Sequence, residues 1–574
     1  MTLGRFWGSF CRRKRITAHP WLSPPKRFVT FERSQGECWR MPYTIYFNGP
    51  IFTMDPVNPL AGALATDEHR VLYAGHLDGA YQSLPGGEKP RLIDLDGRVL
   101  LPGFIDAHAH LALFATELSG IPLKPLRSIK EITRALYKKV QTTPPGEWIR
   151  GGGYNDFYLA ERRHPTRHDL DHIAPNHPVV LTRTCAHIAV ANTMALKLAG
   201  IDLHAGDPSG GHYGRDSDSN TLNGVLYDQA LNRIQDASRL SPQEMTRYLS
   251  LASETWLKAG VTAIHDAGGP PEYFPVLIQA FRDGLIRQRV DAMVWNGLGI
   301  NQLSSFLPSG ICTGFHLQDL YIGAAKVMVD GSSSGPTAAT REPYASDGLS
   351  QGILYHSQGE LDQLIREAAR RGFQVTTHAV GDQAIANSIR SIAQYGDSTR
   401  RNRIEHCAMC PHDLIADLVT WGITPVGQPH FLFEFGDGYI ENYGTERGSH
   451  MFPFRSWLNA GLLPAGSSDS PVTNFRPLSG IGSAVFRQTQ AGQVLAPEER
   501  LSVEEALTLY TINAARLAFA ENEMGILKAG YRANFVILGE DIRRMSVFED
   551  IRDCPVDATI VGGEIGWHRT SFPG

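Results

Sequence analysis

The sequence predicts an α/β protein: a (β/α)8 TIM-like barrel with an inserted subdomain, plus a small β-sandwich formed by both chain ends. Three observations lead there. Short β-rich runs cluster at the two ends of the 574-residue chain. Between them apolar runs alternate with helical patterns, as consecutive βα units require. One connection, from about Ser128 to Leu249, is too long for an ordinary crossover and calls for an insert. A doubly wound sheet is the alternative arrangement for the same alternation.

Composition narrows the class. With 42% hydrophobic and 20% charged residues, 57 Gly and 35 Pro, the chain suits a folded globular protein and excludes fibrous or disordered classes. No run of about 18 apolar residues suggests a membrane span. The 54 basic and 59 acidic side chains leave a net charge of −5, which gives no reason to expect nucleic acid. The expected partner is a small-molecule substrate, with no nucleic acid and no membrane; a homodimer is left open. The seven cysteines are few, odd in number and scattered, so a reducing, cytoplasmic setting is expected. Cys407 and Cys410 have C-x-x-C spacing, but without a second pair they read as buried structural thiols.

Residues 1–41 read as a disordered or misassigned extension. The first forty hold nine Lys/Arg, including Arg12 to Arg15, against Glu32 and Glu37, a local charge of +7. They lack the apolar stretch of a secretory signal and only loosely resemble a transit peptide. Met41 directly precedes two short strands around Asn48-Gly49, which favours a folded unit starting there. Residues 42–100 and 520–574 share a β-rich texture and are assigned to the composite sandwich. Residues 101–519 form the barrel, with the insert at about 128–249. Its Gly-rich part, Gly206–Gly214, reads as a surface loop or hairpin.

The barrel-strand candidates are Val99–Ile105, Val179–Thr184, Val261–Ile264, Tyr321–Val329, Gln374–Thr377, Arg403–Glu405, Ile423–Val426 and Leu462–Ala465. Among the intervening helices, Glu360–Arg371 places Leu361, Leu364, Ile365 and Ala368 on one face, and Val503–Tyr510 follows a Ser502 cap.

The first candidate strand runs into His108-Ala-His110. Side chains alternate on a strand, so both imidazoles share one face and form a good ligand pair for zinc or a similar ion. An H-x-H alone is a weak signal. It gains weight because other candidate strands end in His378, in His406 and in the segment reaching Asp469. In a barrel these ends converge on one rim, where barrel enzymes carry their chemistry. Lys326 lies within an apolar strand. A buried ammonium is costly, so a functional lysine competes with one that snorkels to water.

The order of H-x-H, Lys326, Thr377-His-Ala-Val-Gly-Asp382, Ile404-Glu-His406 and Gly466-Ser-Ser-Asp-Ser-Pro471 resembles the amidohydrolase superfamily. More narrowly it is similar to the YtcJ-like group of metal-dependent hydrolases that includes N-substituted formamide deformylase. The resemblance runs from Tyr43 to Glu564. It implies that His108 and His110 hold the more buried of one or two divalent ions, with zinc the first choice, and that His378 and His406 hold the more exposed one. Asp469 would contact the first ion and serve as general base. His406 would share the catalytic role by helping to hold the oxyanion. Lys326 would be carboxylated to a carbamate that bridges two ions. Asp330 is read as a loop or supporting group, and His265-Asp266 as a loop pair or supporting contact. His187, Tyr154, Gln428 and Arg341 are the substrate-binding candidates. Two departures from the family pattern stand out: Arg183-Thr-Cys-Ala precedes His187 where relatives often have Asp-Gly, and Asn534 replaces a usual Asp.

The implied function is hydrolysis of a non-peptide, amide-type C–N bond in a small molecule by metal-activated water. Deamination or cyclic-amide hydrolysis on the same scaffold is the second reading. A non-catalytic regulatory protein with a retained metal site is the third.

Overall fold

The computed structural model describes residues 43–570 and Phe572, apart from 87, 184–187, 209–210, 270–271, 298–299 and 334–335. The expected extension over 1–41 lies outside the described residues. Eight parallel strands follow one another around the barrel in chain order. They are β1 (Phe104–Ala109), β2 (Val261–Asp266), β3 (Arg289–Gly297) and β4 (Leu320–Met328), then β5 (Val375–Ala379), β6 (Arg403–His406), β7 (Thr424–Gly427) and β8 (Ala465–Gly466). Every residue of β1, β2, β6 and β8 is buried, as parallel strands covered on both faces require. The seam between β8 and β1 closes just past the strand ends. There Asp469 N–H donates to His108 O and His110 N–H to Ser470 O, both at 2.8 Å.

Two strand expectations are corrected. Val179–Thr184 is not a barrel strand; Val179–Arg183 belongs to the inserted sheet, and β3 is the barrel strand that the sequence reading passed over. The reason is electrostatic. Arg289 and Asp291 make β3 look like a surface segment, yet both are buried and joined by two hydrogen bonds of 2.8 and 2.9 Å. The run Val99–Ile105 also serves two structures. Val99–Pro102 joins the end sheet, and the chain enters β1 after Gly103. A side chain at Gly103 would place Cβ 2.3 Å from Thr262, so this crossing needs glycine.

The chain ends share one hydrogen-bonded sheet, joined where Val99–Pro102 pairs antiparallel with Phe535–Leu538. Apolar residues from both ends fill a common core, in which the rings of Tyr46 and Phe535 meet edge-on at 4.9 Å. Asn534 accepts the Gly562 N–H on its side-chain oxygen at 2.8 Å, so the departure from Asp leaves this turn bonded. The inserted sheet has six strands within residues 121–228, and Gly211–Arg215 with Leu222–Asp228 forms its hairpin. Helix Pro242–Leu257 belongs with the barrel: its Trp256 ring lies 4.4 Å from Phe114 on helix Leu111–Ser119. Among the described residues, no helix is long and apolar enough to cross a membrane.

The helix expected at 360–371 spans Gln358–Arg370 and buries Leu361, Ile365 and Ala368. It starts at Ser357 because a capping box forms: Ser357 Oγ accepts the Glu360 N–H, and Glu360 Oε2 accepts the Ser357 N–H at 2.8 Å. Ser357→Ala is expected to cost about 1 kcal/mol. Amide exchange by mass spectrometry should then be roughly fivefold faster in this helix, and unchanged exchange would contradict the assigned cap.

Candidate functional site

The closing seam places the candidate ligands. Asp106 accepts the His108 N–H at 3.2 Å and the Ser468 N–H at 3.1 Å on one carboxylate oxygen, and the Ser468 hydroxyl at 2.6 Å on the other. It thereby pins the end of β1 to the segment after β8. Asp469 emerges one residue later with φ +54, and His406 ends β6 with φ +68. Both residues sit in the sparsely populated left-handed region, which is common at functional sites.

Each of the four imidazoles spends one nitrogen on an acceptor. His108 Nδ1 donates to Glu405 Oε2 at 2.6 Å, His110 Nδ1 to Gly268 O at 3.3 Å, His378 Nε2 to Gly331 O at 3.1 Å and His406 Nδ1 to Gln428 Oε1 at 2.9 Å. The acceptor opposite fixes each tautomer, so the other nitrogen of every ring carries a lone pair. For His108 and His110 that nitrogen is Nε2, and each lies 3.3 Å from Asp469 Oδ1. Two lone-pair nitrogens facing one carboxylate oxygen repel unless a cation stands among them. The ligand atoms of these three buried residues all lie within 4.8 Å of one another. Imidazole nitrogens oriented by outer hydrogen bonds, together with a carboxylate, match the donor set of a divalent zinc-like ion.

His378 and His406 make a second pair, with ring centroids 4.4 Å apart, and the His406 ring is 5.0 Å from His108. Lys326 Nζ lies 3.1 Å from His108 Nε2. Burial lowers the Lys326 pKa to about 8 and that of His406 to about 4, and it drives His378 well below the usual imidazole range.

Sequence reasoning missed the support behind these residues. Glu405 is fully buried and binds Thr376 Oγ1 at 2.6 Å, while Arg403 Nη2 donates to Glu405 Oε2 at 3.0 Å and to Ala107 O at 2.6 Å. Burial raises the cost of the Glu405 charge; the Arg403 guanidinium and His108 overcome that and keep its carboxyl well below the normal range. The signal was present in Arg403-Ile-Glu: two opposite charges two residues apart share one face of an apolar strand. Asp330 is a loop anchor, accepting N–H groups from Val380 at 3.0 Å and from Ala339 and Gly381 at 2.9 Å. Asp266 accepts the Leu111 N–H at 3.0 Å and so fixes the turn after His110.

Of the described substrate-binding candidates, Gln428 meets this cluster, whereas Tyr154 and Arg341 pair elsewhere. Gln428 is fully buried, with its oxygen on His406 and its nitrogen 2.9 Å from Ser467 Oγ, so it orients a ring. Tyr154 is buried in the inserted subdomain, its hydroxyl 3.1 Å from His164 Nδ1. Arg341 pairs with Asp413 at 2.7 Å. His187 lies outside the described residues. Trp295 was not anticipated: its ring is 5.9 Å from that of His110, and among the described residues its buried Nε1 meets no partner.

A parallel barrel whose C-terminal rim gathers these groups defines a hydrolase scaffold. The family model described as the amidohydrolase family matches residues 91–565, and the chain belongs to that family. YtcJ of Bacillus subtilis (strain 168) is 29% identical over 513 residues, covering 86% of this chain and 94% of its own. N-substituted formamide deformylase of Arthrobacter pascens is 29% identical over 555 residues, covering 91% and 98%. Among solved structures, an uncharacterized metal-dependent hydrolase from Pyrococcus furiosus is 28% identical with a TM-score of 0.72, covering 88% of this chain and all of that one. The superfamily membership and barrel fold read from the motifs are therefore established.

Proposed function

We propose that this amidohydrolase cleaves a non-peptide, amide-type C–N bond in a small molecule, with divalent metal held by the rim histidines. The observation that carries the reading is the convergence of the His108 and His110 Nε2 lone pairs on Asp469 Oδ1, each at 3.3 Å. The relative named N-substituted formamide deformylase, matched over 98% of its length, supports the bond class.

His108, His110 and Asp469 would hold one ion; His378 and His406 would hold another, with Lys326 Nζ 3.1 Å from His108 Nε2, and zinc fits the imidazole-rich set. A bound divalent ion supplies Lewis-acid polarisation of the substrate carbonyl and lowers the pKa of water. The chain's own residues do the rest. Asp469 takes the proton of the attacking water on a carboxylate oxygen and passes it to the departing nitrogen. Glu405 and Gln428 fix the rings of His108 and His406, so neither ring has to reorient during turnover. The pKa of about 8 leaves Lys326 a neutral fraction near pH 7. That amine adds to CO2 to give a carbamate and release one proton, turning a cation into an oxygen ligand. The free thiols Cys312, Cys407, Cys410 and Cys554 suit the reducing cytoplasm.

The test is metal content per chain, by elemental analysis of protein purified with bicarbonate and without chelator, followed by turnover of N-substituted formamides. About two ions in the wild type, falling in Lys326→Ala, is the expected result. About one ion, unchanged in the variant, would remove the bridging lysine. Metal-loaded protein inert towards formamides and other small amides would remove the C–N assignment.

A further inference from the structure

Trp295 stands beside the candidate ligands and has no part in the proposed chemistry. It lies near the end of β3 and pairs in register with Lys326 on β4. Strand residues alternate faces, and Arg289, Asp291 and Met293, at intervals of two before it, line a cavity among the strand starts, so Trp295 is the next residue on the inward face. Its ring centroid is 5.9 Å from that of His110 and 5.9 Å from Lys326 Nζ. Trp295 keeps 8% of its surface exposed, as much as His110 and more than Asp469 at 6% or His406 at 3%. A substrate that reaches those groups meets the indole on the same rim.

The ring is a fixed wall. Trp295 N–H donates to Gln302 Oε1 at 2.9 Å, and its carbonyl accepts the Gln302 N–H at 2.9 Å. Two glycines let the backbone close in on the side chain. A Cβ on Gly268, whose φ of +102 suits glycine, would stand 2.8 Å from Trp295 Cβ, and one on Gly297 would stand 3.2 Å from Nε1 and collide with Met328. Gly268 O also accepts the His110 Nδ1–H at 3.3 Å, so the wall and the ligand share one support. A wall packed this closely does not yield the volume of a methyl group without strain.

The order of the strands indicates which part of a substrate meets this wall. The three substituents of a carbonyl carbon point to the corners of a triangle. The departing nitrogen has to lie within reach of Asp469, just past β8, which hands it a proton. The oxygen turns towards the ends of β5 and β6, where His378 stands and where His406 would help to hold the oxyanion. β3 is three strands from β8 in one direction, and two and three strands from β5 and β6 in the other. The remaining corner, that of the acyl substituent, therefore points at Trp295.

We propose that Trp295 is the specificity-determining residue for the acyl side of the substrate. Its ring leaves room for the hydrogen of a formyl group and obstructs a methyl or larger acyl group, which makes formamides the substrate class. This role rests on the amide-cleaving reading of the rim and adds which half of the amide the protein measures. The nitrogen substituent, on the Asp469 side, is not constrained by this wall.

The test compares full-length, metal-loaded wild type, Trp295→Ala and the milder Trp295→Phe on N-butylformamide and N-butylacetamide and on the corresponding N-cyclohexyl pair, with metal content measured on every sample. Formamides are intrinsically the more reactive, so the change in the kcat/KM ratio carries the answer. The formyl-to-acetyl ratio is expected to fall about a hundredfold in Trp295→Ala, within the range that one methylene commands in a fitted pocket, and by less in Trp295→Phe, through faster acetamide turnover. Calorimetry supplies a measurement independent of turnover: N-butylacetamide should gain saturable binding in Trp295→Ala. General damage to the fold lowers both rates and leaves the ratio alone. A ratio unchanged in both loaded variants, or one that falls only because formamide turnover slows, would overturn the role of Trp295 and leave the amide reading standing. Loaded wild type and variants inert towards all four amides would overturn the amide reading and this role with it.

Discussion

Asp469→Asn is expected to lower kcat about a thousandfold, within the 10²–10⁴ range that a positioned general base supplies, while the fold stays intact. The substitution is chosen for its backbone. Asp469 sits at φ +54, and Asn occupies the left-handed region more readily than most residues. Its backbone bonds, N–H to His108 O and carbonyl from Val472 N–H, both 2.8 Å, survive the change. What disappears is the negative charge between His108 and His110 and the ability to take a proton. Metal content measured alongside kcat separates those two losses. A fully loaded variant with activity near a thousandth identifies the base, and a variant that loses metal and recovers with excess zinc identifies a ligand only. Retention of more than a tenth of the activity in fully loaded protein would remove Asp469 from the chemistry.

The legible part of this protein was what recurs along the chain. The alternation of apolar runs and amphipathic helices gave the barrel, and ligand-competent residues at strand ends gave the rim, because a parallel barrel brings all such ends together. Residues that act through pairing across distant strands were not legible. Arg289 and Asp291 disguised β3 as surface, since nothing local says that they neutralise each other inside. Glu405 stood within a quoted motif, but its partner His108 lies 297 positions away. Gln428, taken for a substrate contact, is spent on His406 and Ser467, a use set only by the packing of β6, β7 and β8. The apolar run Val99–Ile105 was continuous in sequence and divided in space because both sheets it enters bury their strands.

Arg403→Met is expected to be the most destabilising single change near the site, by about 3–5 kcal/mol, since it strips a buried carboxylate of its cation. Glu405, fully buried, would keep Thr376 and His108 but lose the guanidinium 2.6 Å from Oε1; Ala107 O and His265 Nδ1 would lose donors as well. The pH dependence gives the sign. In the wild type the Glu405 pKa is depressed, so its contribution is present above the unfolded-state pKa and is lost as pH falls through the folded value. In the variant, burial dominates and the pKa rises, so protonation favours the folded state as pH falls. The stability gap between wild type and variant should therefore narrow between pH 8 and pH 5 in denaturant melts. The double variant Arg403→Met with Glu405→Leu removes the uncompensated charge and should regain much of the lost stability. It should not regain metal, because His108 Nδ1 would no longer have the carboxylate that orients the ring, a loss typically worth 10–100-fold in metal affinity. If the double variant bound metal as tightly as the wild type, Glu405 would be a structural charge and nothing more; if it were no more stable than Arg403→Met, the burial of an unpaired carboxylate would not be the cause of the loss.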